Sequence, residues 1–251
     1  MLLYATLLVC AAAMGWMVRR YDLHDREPRH ALLLAVALGA ALMFMSGRVQ
    51  VYLLTRLGSA AASNWVASIS LAAGITEELG KFAGVLVIAV FWRRVFNDPL
   101  DGVVYGSFVG LGAAIEESVT LLSGQDGAGR FGTADQLPLT EPIRLMGHLV
   151  MGGITAAGIG PWRTSVPRRH WMLPVCLLAG VALHIGWDLV AFSAAEAGRM
   201  KPWHTAAAMA MMLGGLVAYR GLLWMIEPES RARFRRPSPA TEPARGRQSA
   251  G

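Results

Sequence analysis

Seven apolar runs limit what this chain can fold into. They lie at about residues 2–18, 31–45, 65–92, 100–122, 142–161, 171–195 and 204–226. About 20 apolar residues cross the hydrocarbon core of a bilayer as a helix, and no water is present there to satisfy an irregular backbone. The expected fold is therefore all-α: a polytopic transmembrane helix bundle of about seven spans, with its residence in the cell (plasma) membrane. The second run is short, and residues 49–57 either lengthen it or form an interfacial turn. Composition agrees, with 54% hydrophobic residues, 16% charged and a mean hydropathy of +0.43. Residues 1–18 lack a basic segment ahead of the apolar run and read as a retained first span, not a signal peptide. Residues 1–226 form the expected membrane domain; residues 227–251, rich in Arg, Pro, Ser and Glu, form an expected disordered cytoplasmic tail.

Arginine and lysine set the expected orientation. One alternating set of inter-span segments holds Arg19, Arg20, Arg26, Arg29, Arg93, Arg94, Arg163, Arg168, Arg169 and six tail arginines, fifteen in all, against five in the other set. Positive charge is retained on the cytoplasmic side, so the N-terminus is expected outside and the C-terminus in the cytoplasm. The same distribution explains the net charge of +6 more simply than nucleic-acid binding, and no nucleic-acid partner is expected. Cys10 and Cys176 sit in apolar runs without metal-binding spacing, so neither a disulfide nor a thiolate site is expected. Nothing in the sequence fixes an oligomeric state.

The third run carries Glu77, Glu78 and Lys81 far from either end. A charge near the bilayer centre costs roughly 2.5–3.5 kcal/mol on insertion scales, so such groups face the protein interior. Lys81 lies four residues from Glu77 and three from Glu78 and reaches either acid on a helix; the two acids point about 100° apart. One is then paired while the other turns toward a cavity. Three further runs bring polar residues to a comparable depth, in the outer half of the bilayer under the expected orientation. Residues 100–122 hold Glu116 and Glu117 beyond a glycine stripe at Gly102, Gly106 and Gly110, whose four-residue spacing lets helices approach closely. Residues 142–161 align Arg144, His148 and Gly152 on one face, and residues 171–195 align His184 and Asp188. That last spacing suits two metal ligands or an acid that orients an imidazole. Four helices thus contribute to one expected site.

These residues, in this order, resemble the PrsW family of intramembrane proteases, distant relatives of the CAAX prenyl proteases and bacteriocin-processing membrane proteins. The family's EExxK resembles Glu77 to Lys81; its FxxxE matches in part, with Glu117 at the acid and Ala113 where Phe is expected; its HxxxG resembles His148 to Gly152; its final His with Asn or Asp four residues on resembles His184 to Asp188. The segment from Tyr21 to Pro28 resembles a cytoplasmic Asp and Glu-Pro signature, and Asp101 to Gly106 resembles the entry into the fourth span. The resemblance implies an endopeptidase that cuts a membrane-anchored protein near the extracytoplasmic side, in regulated proteolysis of an anti-sigma factor. Its implied site comprises Glu77, Glu78, Lys81, Glu117, His148, His184 and Asp188. Glu77 or Glu78 would be the general base. His148 and His184, with Asp188 and Glu117, would polarise the substrate carbonyl or bind a divalent metal, for which Zn²⁺ suits the ligand types. An ionised Asp188 cannot donate to an oxyanion, which favours metal ligation or orientation of His184. Two other classes fit acids and histidines inside a bundle: an ion- or proton-coupled transporter, and a non-catalytic membrane scaffold.

Overall fold

A computed structural model of the chain describes residues 2–21, 26–123 and 141–235. It is helical, with no strand among the described residues. The elements are α1 (Leu2–Tyr21), α2 (Arg29–Leu57), α3 (Ser59–Ser63), α4 (Trp65–Phe91), α5 (Asp101–Ser123), α6 (Glu141–Ala156), α7 (Ile159–Arg163), a 3-10 turn (Pro167–Arg169), α8 (Met172–Glu196) and α9 (Pro202–Arg235). Among the described residues, four stretches are long and apolar enough to cross a membrane: Arg29–Leu57, Glu141–Arg163, Pro167–Glu196 and Pro202–Phe234. Helices α4 and α5 are not among them because their apolar residues are diluted by Glu77, Glu78 and Lys81 in one, and by glycines and the Glu116–Glu117 pair in the other. Charge that marks a site thus also masks the helix that carries it.

Helix α5 is the axis of the bundle, buried along the whole stretch from Asp101 to Ala114. Its glycine stripe lies directly on α6. A Cβ at Gly102 would meet the carbonyl oxygen of Ala156 at 2.5 Å, one at Gly106 that of Gly152 at 2.3 Å, and one at Gly110 that of His148 at 2.1 Å. The two backbones therefore touch, and small residues are what permits it. Helix α2 closes on α5 in the same way, with Gly112 against Val36 and Gly39 against Val109. Helix α4 packs on α2, α8 packs on α4 and α6, and α9 packs on α6 and α8. The outer faces of α2, α4, α8 and α9 expose Leu33, Phe44, Phe91, Leu178, Val217 and Trp224, the apolar surface expected against lipid.

One end of the bundle gathers the arginine-bearing connections. Arg19 donates to the backbone of Glu27 at 3.4 Å, Arg163 to the Ala89 carbonyl at 2.8 Å, and Arg168 and Arg169 to Glu229 at 2.8 and 3.1 Å. The same end carries the start of α5, where Asp98 accepts from the Leu100 amide at 2.8 Å and Asp101 reaches back to the Asp98 amide at 2.7 Å, a capping box. The Tyr105 hydroxyl donates to buried Glu27, joining two of the motifs noted in sequence. Asp22, Leu23, His24 and Asp25 of that signature lie outside the described residues.

One alternative left open by the sequence is decided and two expectations about elements change. The run at 31–45 continues without a break to Leu57 as one helix. The run at 142–161 is divided at Ala157 and Gly158, because Gly158 lets the Leu173 backbone approach to 2.4 Å of where its Cβ would stand. The helix expected to end at Ile226 extends to Arg235. Ser230 donates to Asp98 at 2.6 Å, and Glu229 and Arg231 are also paired, so these extra turns have partners that a composition-based boundary ignores. The remainder of the expected tail, residues 236–251, lies outside the described residues.

Candidate active site

Helix α4 turns Glu77, Glu78 and Lys81 inward, and all three are buried. Both acids are in reach of Lys81 by spacing alone, but the ammonium goes to Glu78, at 2.5 Å from Oε1. The same oxygen takes His184 Nδ1 of α8 at 2.7 Å, and Oε2 accepts the Thr155 hydroxyl of α6 at 2.5 Å. Glu78 is thereby saturated by donors from three helices. Glu77 is held on one side only: Oε1 accepts from Gln50 Nε2 of α2 at 3.1 Å, while Oε2 is buried without a hydrogen-bond partner. A buried carboxylate oxygen left in that condition is costly unless a cation or proton stands against it.

The two histidines are arranged alike. With Nδ1 of His184 on Glu78, its Nε2 faces Glu77 Oε2 at 3.5 Å and Asp188 Oδ2 at 3.6 Å. His148 of α6 sets Nε2 2.9 Å from Glu117 Oε2 of α5, which leaves its Nδ1 buried and without a hydrogen-bond partner. Each imidazole thus has one nitrogen on a carboxylate and one turned elsewhere, as in metal-ligating histidines, where the outer carboxylate fixes tautomer and ring orientation. The rings meet edge to face, with centroids 5.3 Å apart. Ligand atoms of Glu77, His148 and His184 all lie within 4.8 Å of one another. Two imidazoles and one carboxylate on three helices form a donor set that fits a divalent metal ion.

All seven residues singled out from the sequence fall in this region. Glu77, Glu78 and Lys81 come from α4, Glu117 from α5, His148 from α6, and His184 and Asp188 from α8. Their placement differs from the expected ligand set in two respects, the first being that Asp188, 3.6 Å from His184 Nε2, is not a member of the triad. Glu117 lies behind His148, braced by Arg144 at 3.9 Å, and Glu77 takes the position in the triad. Glu116 points elsewhere and accepts from Thr120 at 2.7 Å. His204 is used as a cap, accepting from the Lys201 amide at 2.9 Å.

Two contributors escaped the sequence reading. Gln50 sits in the stretch left ambiguous at the end of the second run, and nothing local marks its amide as reaching Glu77. Thr155 is one more hydroxyl residue in an apolar helix, of the kind that usually bonds its own backbone. Its position seven residues after His148, on the same face, is the signal that could have found it.

Comparison with known proteins supplies an independent line. The chain matches, over residues 27–222, the family described as PrsW family intramembrane metalloprotease. It is 31% identical over 170 residues to the protease PrsW of Bacillus subtilis (strain 168), covering 67% of this chain and 73% of that protein. No solved structure matches the chain. The matched region contains every residue of the buried cluster.

Proposed function

The chain belongs to the PrsW family of intramembrane metalloproteases, and from that premise we propose that the buried cluster hydrolyses a peptide bond in a membrane-anchored protein. The observation that carries this reading is the convergence of Glu77, His148 and His184 within 4.8 Å, with the far nitrogen of each histidine held by a separate carboxylate. Those three residues would hold the metal, with zinc the best match to the donors. A bound divalent ion supplies Lewis-acid polarisation of the scissile carbonyl and acidification of a water.

The chain's own residues do the rest. Glu78, saturated by Lys81, Thr155 and His184, is a poor proton acceptor and serves to hold the His184 ring. Glu117 does the same for His148, with the Arg144 guanidinium beside it. Asp188 is the remaining carboxylate, 3.6 Å from His184 Nε2 and not consumed by a strong donor, so it takes the proton from the attacking water and returns it to the leaving amine. This assignment replaces the expectation that Glu77 or Glu78 is the base.

The proposed arrangement in the bilayer is seven spans in the plasma membrane, N-terminus out and C-terminus in. It is supported by the collection of arginine contacts at one end of the bundle. The site then opens toward the extracytoplasmic half, and the substrate class is a membrane-anchored protein such as an anti-sigma factor, cut in regulated proteolysis.

The test uses purified protein in liposomes with a panel of single-span substrates. Glu77→Gln, His148→Ala and His184→Ala are expected to lose both zinc and cleavage, and a chelator to abolish cleavage reversibly. Asp188→Asn is expected to keep zinc and lose about 10²–10⁴-fold in rate. Full cleavage by His184→Ala, or by the chelated wild type, overturns the reading.

A further inference from the structure

We infer that Thr155 is a positioning residue of the hydrolytic centre, and that Gly180 exists to admit it. The inference rests on the hydrolytic reading above and adds two residues that lie outside every motif noted in the sequence. Thr155 and Glu78 are both fully buried, and the hydroxyl stands 2.5 Å from Glu78 Oε2. A threonine hydroxyl has one proton to give. In this bundle Ser70, Thr76 and Ser107 donate theirs to a backbone carbonyl four residues earlier in their own helices, the usual habit of such side chains in a helix. Thr155 donates across to α4 instead.

The room for this contact is made on α8. A Cβ at Gly180 would lie 1.8 Å from Thr155 Oγ1 and 3.0 Å from its Cβ, so any side chain there displaces the hydroxyl. Gly180 is one turn before His184 on that helix. Thr155 from α6 and His184 from α8 therefore hold the Glu78 carboxylate, with Gly180 leaving room for the Thr155 side chain.

The arrangement divides the work of the two oxygens. Oε1 takes Lys81 and His184, and Oε2 takes Thr155. Without the Thr155 proton, Oε2 is a buried acceptor with nothing to accept, and the carboxylate gains by rotating to share Lys81 between its oxygens. That rotation withdraws Oε1 from Nδ1, and the His184 ring loses the bond that sets its tautomer. Because α6 also carries His148, the Thr155 tie further fixes the separation between the two imidazoles.

Three variants test this: Thr155→Val, which keeps the shape and removes the donor; Thr155→Ser, which keeps the donor; and Gly180→Ala, which crowds it. The measurements are kcat and KM on a membrane-anchored substrate, the Zn²⁺ dissociation constant, and the imidazole nitrogen signals of His184 by NMR. Thr155→Val is expected to lower kcat and weaken zinc binding, each about 10–100-fold, with KM unchanged and the Nδ1–H signal of His184 broadened or lost. Gly180→Ala is expected to follow it, and Thr155→Ser to restore all three readouts. Thr155→Val with wild-type kcat and an unaltered His184 signal overturns the inference. Thr155→Ser as impaired as Thr155→Val also overturns it, because packing and not the donor would then be what matters. Should the wild type cleave nothing, the hydrolytic reading falls by itself, and the His184 signal in the Val and Ser variants still decides the role of Thr155.

Discussion

Adjacent residues on a helix point about 100° apart, and this bundle uses that angle twice to give neighbouring acids different work. At Glu77 and Glu78 the division is between an oxygen without a donor and a carboxylate with three. At Glu116 and Glu117 it is between a bond to Thr120 and a contact with His148. Glu117→Gln is accordingly expected to reduce zinc affinity and cleavage about 10–100-fold, and Glu116→Gln to leave both near wild type. Zinc titration and cleavage assays on the two variants check this, and equal effects would remove Glu117 from behind His148. Sequence spacing brought both acids of each pair into view but left the choice within a pair open. Lys81 reaches Glu77 and Glu78 equally well along α4, and what selects Glu78 is a hydroxyl on α6 and an imidazole on α8, more than 70 residues away in each case. Local periodicity carries no information about such partners.

The contact between α5 and α6 is the element that sets the distance from Glu117 to His148. Its glycines face backbone, not flexible side chains, so no neighbour can move aside cheaply. Gly106→Ala places a methyl 2.3 Å from the Gly152 carbonyl oxygen and is expected to destabilise the bundle by about 1–3 kcal/mol, as overpacking does. Gly214→Ala on α9 meets nothing within 4 Å and is expected to be neutral or mildly stabilising. Thermal unfolding in detergent distinguishes the two, and equal melting temperatures would contradict the packing described. This crossing was legible beforehand because the four-residue glycine spacing is itself the packing surface. The break at Gly158 and the continuation of α9 to Arg235 were not, since both depend on what stands opposite: Leu173 in one case, Asp98 and the Arg168–Arg169 pair in the other.

For the molecule as a whole, the arginine contacts join the end of α1 to the residues before α2, the end of α4 to α7, and the turn before α8 to α9, all at the end where Asp98 meets Ser230. In the proposed orientation, which follows the positive-inside rule, that end faces the cytoplasm. A green fluorescent reporter fused after Arg235 is expected to fluoresce in cells, and the same reporter exported at the N-terminus to stay dark. The reverse pattern would invert the molecule and move the site to the other leaflet. The overall class was readable from the apolar runs, while the count of helices that lipid accepts by composition was blurred by the very residues of the site. That last feature bears on biogenesis. A nascent α4 released by itself from the insertion machinery would carry Glu77, Glu78 and Lys81 into hydrocarbon, and only the Glu78–Lys81 pair, closed within one turn, travels with it from birth. Glu77 must wait for Gln50 of α2, already synthesised, and then for the histidines of α6 and α8, which emerge later. In the proposed reading the buried cluster would thus also serve as a checkpoint of assembly, with the last helices to be made rendering the earlier ones fit to remain in the membrane.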